Sequence, residues 1–167
     1  MALNELLETL EQMEVAHRRM LELGEQKRTA IMQNDVDRLI AIANQESKLV
    51  KAIGTLDDRR ADEAHAFMQT KGIKSKLNLT ITELARLVFD LDEKARLLDV
   101  QQRLASALSE LKLLNETNQQ LIQQSLSFIN FSIDVMVGAP EDNYTYTHPS
   151  NGYSATTRNP GFFNARG

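Results

Sequence analysis

The sequence predicts an all-α fold: an elongated antiparallel helical bundle, coiled-coil-like, with three long helices, one short helix and an irregular C-terminal tail. Three observations carry this. Apolar residues recur at alternating steps of three and four along most of the 167-residue chain, which is the spacing of one buried helix face. Aromatic residues make up 5% with no Trp, and proline is limited to 3 residues, a composition that favours helices over strands. Those prolines, Pro140, Pro149 and Pro160, all fall after Gly138. The chain therefore divides into a helical bundle domain over residues 1–138 and an extended Pro-, Gly- and Tyr-containing tail over residues 139–167.

The first helix spans residues 3–33, on a seam of Leu3, Leu6, Leu10, Met13, His17, Met20, Gly24, Lys27 and Ile31. His17 on that seam reads as a packed or edge residue, and Gly24 as a close helix approach or bend. Asn34 followed by Asp37 reads as an N-cap with an acid in the first turn, and so short a reversal makes the second helix an antiparallel neighbour. That helix runs through Ile42, Leu49, Ile53 and Phe67 and ends near Gly72, placed as a C-terminal glycine. Its charged cluster Asp57, Asp58, Arg59, Arg60, Asp62 and Glu63 reads as a solvated face. Thr80 as N-cap, Glu83 at the third helical position and Leu79 against Leu84 spell a capping box with a hydrophobic staple, so a helix starts at Ile81. Asp90 and Glu93 repeat the pattern, which leaves two alternatives: a short helix before a new start, or one helix from Ile81 to Val137. The core is expected at Leu10, Met13, Ile42, Leu49, Ile53, Leu104, Leu111 and Leu114.

The last helix, residues 96–137, is the spine. Its seam is Leu97, Val100, Leu104, Ala107, Leu111, Leu114, Asn118, Leu121, Ser125, Phe128, Ser132 and Val135. In its first half charges flank a narrow apolar stripe. In its second half Leu121, Ile122, Leu126, Phe128, Ile129, Phe131 and Ile133 spread around the cylinder, and between Lys112 and Asp134 the only charged residue is Glu116. A water-facing helix surface normally carries Lys and Glu. Uncharged amides and hydroxyls suit a face that is intermittently covered, because burying them costs far less than burying charge. Leu121 and Phe128 are expected to serve the bundle seam, and Ile122, Leu126, Ile129 and Ile133 to be the more exposed. Asn118, Ser125 and Ser132 either fix helix register or bond an incoming helix.

The net charge of -4 comes from intermixed acids and bases, so nucleic acid and anionic membrane are poor partners. Zero cysteines exclude disulfide and thiolate chemistry and fit a reducing cytoplasm. Without an apolar run long enough to span a bilayer, and with an acidic, amphipathic N-terminus unlike a signal peptide, a cytoplasmic protein without stable membrane insertion is expected. His17, His65 and His148 are far apart, and neither a phosphate loop nor a nucleophile-base pair is present. The reading is of a non-enzyme without cofactor or metal.

The reversal Asn34-Asp35-Val36-Asp37-Arg38-Leu39, the segment Gln45-Glu46-Ser47-Lys48-Leu49-Val50 with Arg59-Arg60 following, and Asn115-Glu116-Thr117-Asn118-Gln119-Gln120-Leu121-Ile122, then a tyrosine-bearing tail, make up one layout. It resembles the FlgN family of flagellar export chaperones. The resemblance implies that the C-terminal part of the last helix clasps an amphipathic helix of a hook-filament junction protein and delivers it to the flagellar export gate. Leu121, Ile122, Leu126, Phe128, Ile129, Phe131 and Ile133 are then the cargo-binding residues. Tyr144 and Tyr146 are candidates for gate docking. The family pattern does not extend to the Phe162-Phe163 end. The alternative is a structural coiled-coil adaptor or homo-oligomer, which would form a stable assembly without cargo, whereas a chaperone would be a monomer or weak homodimer.

Overall fold

The computed structural model describes residues 2–74 and 78–137. These form four helices and, among the described residues, no strand: α1 (Ala2–Met32), α2 (Val36–Thr70), α3 (Ile81–Ala85) and α4 (Leu91–Val137). The fold is all-α, with three long helices and one short one. The tail, with Tyr144, Tyr146, Phe162 and Phe163, lies outside the described residues. Two compact units are present, residues 1–125 and 126–167. The second is described over residues 126–137 only.

Local chemistry sets each helix end. At the first reversal Asn34 adopts a left-handed φ of 54°. The Asp35 amide donates to the Ala30 carbonyl at 2.9 Å and the Asn34 amide to Ile31 at 3.2 Å, the paired bonds of a Schellman closure. Asn34 is thus the terminator of α1, and Asp35 is the N-cap of α2, its carboxylate accepting from the Arg38 amide at 3.1 Å. This corrects the assignment of the cap to Asn34: a residue in the left-handed region closes the preceding helix, and the next one starts the following helix. Gly72, at φ 81°, closes α2 in the same way, with Ile73 donating to Met68 and Gly72 to Gln69, both at 3.0 Å.

The capping box at α3 is formed as expected. The Glu83 amide donates to Thr80 Oγ1 at 3.2 Å, and the Thr80 amide to Glu83 Oε2 at 2.9 Å. Leu84 is fully buried and Leu79 packs on the same cluster, which is the staple. The Asp90 carboxylate then accepts from the amides of Asp92 at 2.8 Å and Glu93 at 3.0 Å. Of the two alternatives, the short helix followed by a new start at Leu91 is the one realised.

In the first unit the larger core joins Leu3, Leu6, Leu7, Leu10 and Met13 of α1 to Ala64, Phe67 and Met68 of α2, Leu84 of α3, and Leu97, Val100 and Leu104 of α4. Each fully buried Leu contributes on the order of 2 kcal/mol. A smaller core joins Leu23 and Ala30 to Ile42. Early α1 meets late α2 and late α1 meets early α2, so the pair is antiparallel. Against α4 the order is parallel: Glu11 pairs with Arg96 at 3.5 Å, Arg18 with Glu110 at 3.8 Å, and Gly24 accepts from Asn118 at 2.9 Å.

The buried Glu14 carboxylate sits between Arg18, at 3.4 Å, and Arg103. The Asp99 hydrogen bond, at 2.9 Å, is the main influence raising the Arg103 guanidinium above its ordinary value, partial desolvation opposes it, and the charges of Glu14, Asp99 and Glu11 add to the rise. Leu10, Met13, Ile42, Leu104 and Leu114 are buried as expected. Leu49, Ile53 and Leu111 are only half-buried. Ile53 and Leu111 line a groove in the first unit, so the heptad pattern identified them as inward-facing without a third wall to cover them.

Candidate functional site

Along α4 the seam is buried through Leu97, Val100, Leu104, Ala107, Leu114 and Asn118. Past that point burial fades: Leu121, Ile122 and Ser125 are half-buried, and none of residues 126–137 is buried. The cover ends because Asn118 is level with Gly24 on α1, and α1 has only residues 25–32 left to run. Leu126 is 55% exposed, Phe128 69%, Ile129 48%, Phe131 64% and Ile133 51%. Free apolar surface of this density on one helix end is unusual for a surface that only meets water.

Ile122, Leu126, Ile129 and Ile133 recur at steps of four, three and four, which aligns them in one stripe. Leu126, Ile129 and Ile133 are exposed and Ile122 is half-buried, but they are not the more exposed set that was expected, because Phe128 exceeds all four. Phe128, expected to serve the bundle seam, is not covered there: at 69% exposure it stands freer than Ile129 or Ile133. Leu121 keeps partial cover. Two of the three polar seam positions, Asn118 and Ser132, serve the chain itself. Asn118 Nδ2 donates to the Gly24 carbonyl, and Ser132 Oγ donates to its own helix at the Phe128 carbonyl, 2.9 Å away. For these two residues internal register and helix bonding apply, and neither side chain reaches for an incoming helix.

Within the first unit lies a groove of about 480 Å³. Glu46, Val50 and Ile53 of α2 form one wall, Leu108, Leu111 and Ile122 of α4 the other, and His17, Met20 and Lys27 of α1 lie between. Sequence periodicity missed it, because a pattern of inward-facing residues cannot show whether two walls touch. The signal that could have found it is Val50 beside Ile53, an apolar position displaced from the seam. Lys27 Nζ lies 2.8 Å from Glu46 Oε1, so the groove carries a neutralised pair. His17 is buried, with Nδ1 donating to the Met13 carbonyl at 2.7 Å, the packed role of the two expected of it. Asn118 also lines the groove, and its Oδ1 is buried without a hydrogen-bond partner.

Elsewhere the charged cluster of α2 pairs within its own helix, Arg60 with Asp57 and Arg59 with Glu63, each at 2.8 Å. Among the described residues no group of three or more His, Asp or Glu is placed to hold a metal ion, and no helix is long and apolar enough to cross a membrane.

Comparison with known proteins adds a family. A family model described as FlgN protein matches residues 1–152. The chain is similar to the uncharacterized protein YvyG of Bacillus subtilis (strain 168), 30% identical over 147 residues, covering 88% of each chain. No solved structure matches it.

Proposed function

The chain belongs to the FlgN family, and from that premise we propose that it is a cytoplasmic export chaperone. Its cargo is the C-terminal amphipathic helix of a flagellar hook-filament junction protein, held from premature assembly until delivery to the export gate. One observation carries the reading: Leu126, Phe128, Ile129, Phe131 and Ile133 are all about half exposed or more on one helix, in a stretch free of charge from Thr117 to Ile133. Together with Leu121 and Ile122 they supply anchors at the spacing that a helix-on-helix contact uses. Keeping such a face free costs the chain the burial it would otherwise gain, and a partner recovers it.

Replacing Leu126→Ala together with Ile129→Ala is expected to remove roughly 2 to 4 kcal/mol of cargo binding, about thirtyfold to a thousandfold in affinity. Folding should change little, because neither side chain belongs to the buried core. Titration calorimetry with the C-terminal segment of a junction protein measures it, and unchanged affinity, or no binding by the native chain, would refute the reading. Tyr144 and Tyr146 are the proposed gate-docking residues. Tyr144→Ala with Tyr146→Ala should weaken capture of the export gate component in a pull-down while leaving cargo affinity intact, and equal capture by both proteins would remove them from that role.

A further inference from the structure

The groove and the exposed end of α4 fit one another chemically. The groove walls are apolar, with Val50 and Ile53 facing Leu108 and Leu111, and its one ion pair, Lys27 with Glu46, is internally neutralised. Its amide groups are those of Asn115, Asn118 and Gln119. A helix rich in Lys and Glu would bring unpaired charge to such walls, at a desolvation cost. A helix bearing an apolar stripe among uncharged residues would not. The chain carries a helix of that description in Leu126, Ile129 and Ile133, exposed, with Asp134 the sole charge in residues 126–137. Lengths also agree: Leu108 to Ile122 spans roughly 21 Å of helix and residues 126–137 roughly 18 Å, at 1.5 Å per residue.

We propose that the groove receives the end of α4, residues 126–137, from a second copy of the chain. A contact this short falls below about 1,200 Å² of total buried surface, so the dimer is weak and readily exchanged. In it the exposed apolar face of one copy is covered by the groove of another, and any ligand of that face competes with self-association. Binding of the face and dissociation of the dimer are then linked by mass action. The dimer contact stands independently of the cargo reading, since it needs only the groove and the helix end.

The absence of cysteine allows a direct test on the full chain. Val50→Cys and Ile133→Cys are made separately, at positions 58% and 51% exposed, and the two proteins are mixed under oxidising conditions. The expected result is a disulfide-linked heterodimer forming at least about tenfold faster than with a Val15→Cys and Ile133→Cys pair, Val15 being exposed but outside the groove; so large a ratio marks a populated contact. Sedimentation of the uncross-linked chain should show concentration-dependent dimer. Val50→Asp and Ile133→Asp should each weaken it, and mixing the two should restore part of it, because one intact groove then meets one intact helix end. Cross-linking no faster than the control, a monomer at every concentration, or loss of dimer with Ile133→Asp but not Val50→Asp would overturn the proposal. The last result would mean that helix ends pair with each other. A monomer whose Val50→Asp variant loses affinity for a junction-protein peptide would assign the groove to cargo instead. The cross-linking and sedimentation arms contain no cargo, so their failure is separable from failure of the calorimetric titration.

Discussion

Gly24 shows how a single missing side chain fixes a helix contact. A Cβ at that position would lie 2.6 Å from Leu114 Cδ2 and 3.3 Å from Cγ, well inside ordinary contact distance. The same close approach brings Asn118 Nδ2 to the Gly24 carbonyl. Glycine therefore trades about 1 kcal/mol of helix propensity for two interhelix contacts. Gly24→Val is expected to destabilise the fold by about 1 to 3 kcal/mol through overpacking. Adding Leu114→Ala should make the double variant less unstable than the two single losses summed, since the shortened side chain vacates the space. Chemical denaturation of the four proteins measures the cycle, and strict additivity would show that Gly24 and Leu114 do not share that space. Gly24 was readable from sequence as a close approach or a bend because it interrupts an apolar seam, and the close approach is the one realised. Which helix approached was not readable, since the parallel register of α1 and α4 depends on contacts such as Glu11 with Arg96 that are far apart in the chain.

At the scale of the element, starts and stops were the most legible features, because capping is local chemistry. Thr80, Glu83, Leu79 and Leu84 identified the start of α3 from their spacing alone: both hydrogen bonds of the box are present, and Leu79 packs against the cluster that holds Leu84. Thr80→Ala should cost about 1 kcal/mol in thermal or denaturant unfolding. Asn34 was misread by one position, since Asn suits both an N-cap and a left-handed terminator and only φ separates them. Asn34→Gly should be neutral or slightly stabilising, as glycine accepts that conformation freely. Asn34→Val should cost about 1 to 2 kcal/mol. A loss with Gly as large as with Val would mean that the Asn side chain itself matters. The break between α3 and α4 shows the limit of such reasoning. Asp90 announced a start, but only its two amide bonds decide that the preceding helix has stopped.

For the molecule as a whole, the fold class followed from periodicity, while the division of apolar residues between core and surface did not. Phe128 and Leu114 occupy equivalent seam positions, yet one is 69% exposed and the other 7%. The difference lies in where α1 ends, which periodicity within α4 cannot report. The absence of charge between Glu116 and Asp134 was the better signal, because it reflects what a surface is meant to meet. The unburied last turns of α4 also have a thermodynamic consequence. A helical stretch with no packed face is held by propensity and by its attachment to the turns before it, and isolated helices shorter than about 12 to 15 residues are marginal in water. Amide hydrogen exchange should therefore be fast over residues 126–137 and slow over residues 97–114, where the seam is packed. Binding would then slow exchange in the former and leave the latter almost unchanged, whichever partner supplies the cover. Under the proposed function, recognition at this end would be coupled to helix ordering, so part of the favourable contact energy would go into ordering and affinity would stay moderate, a useful property in a complex that must be released.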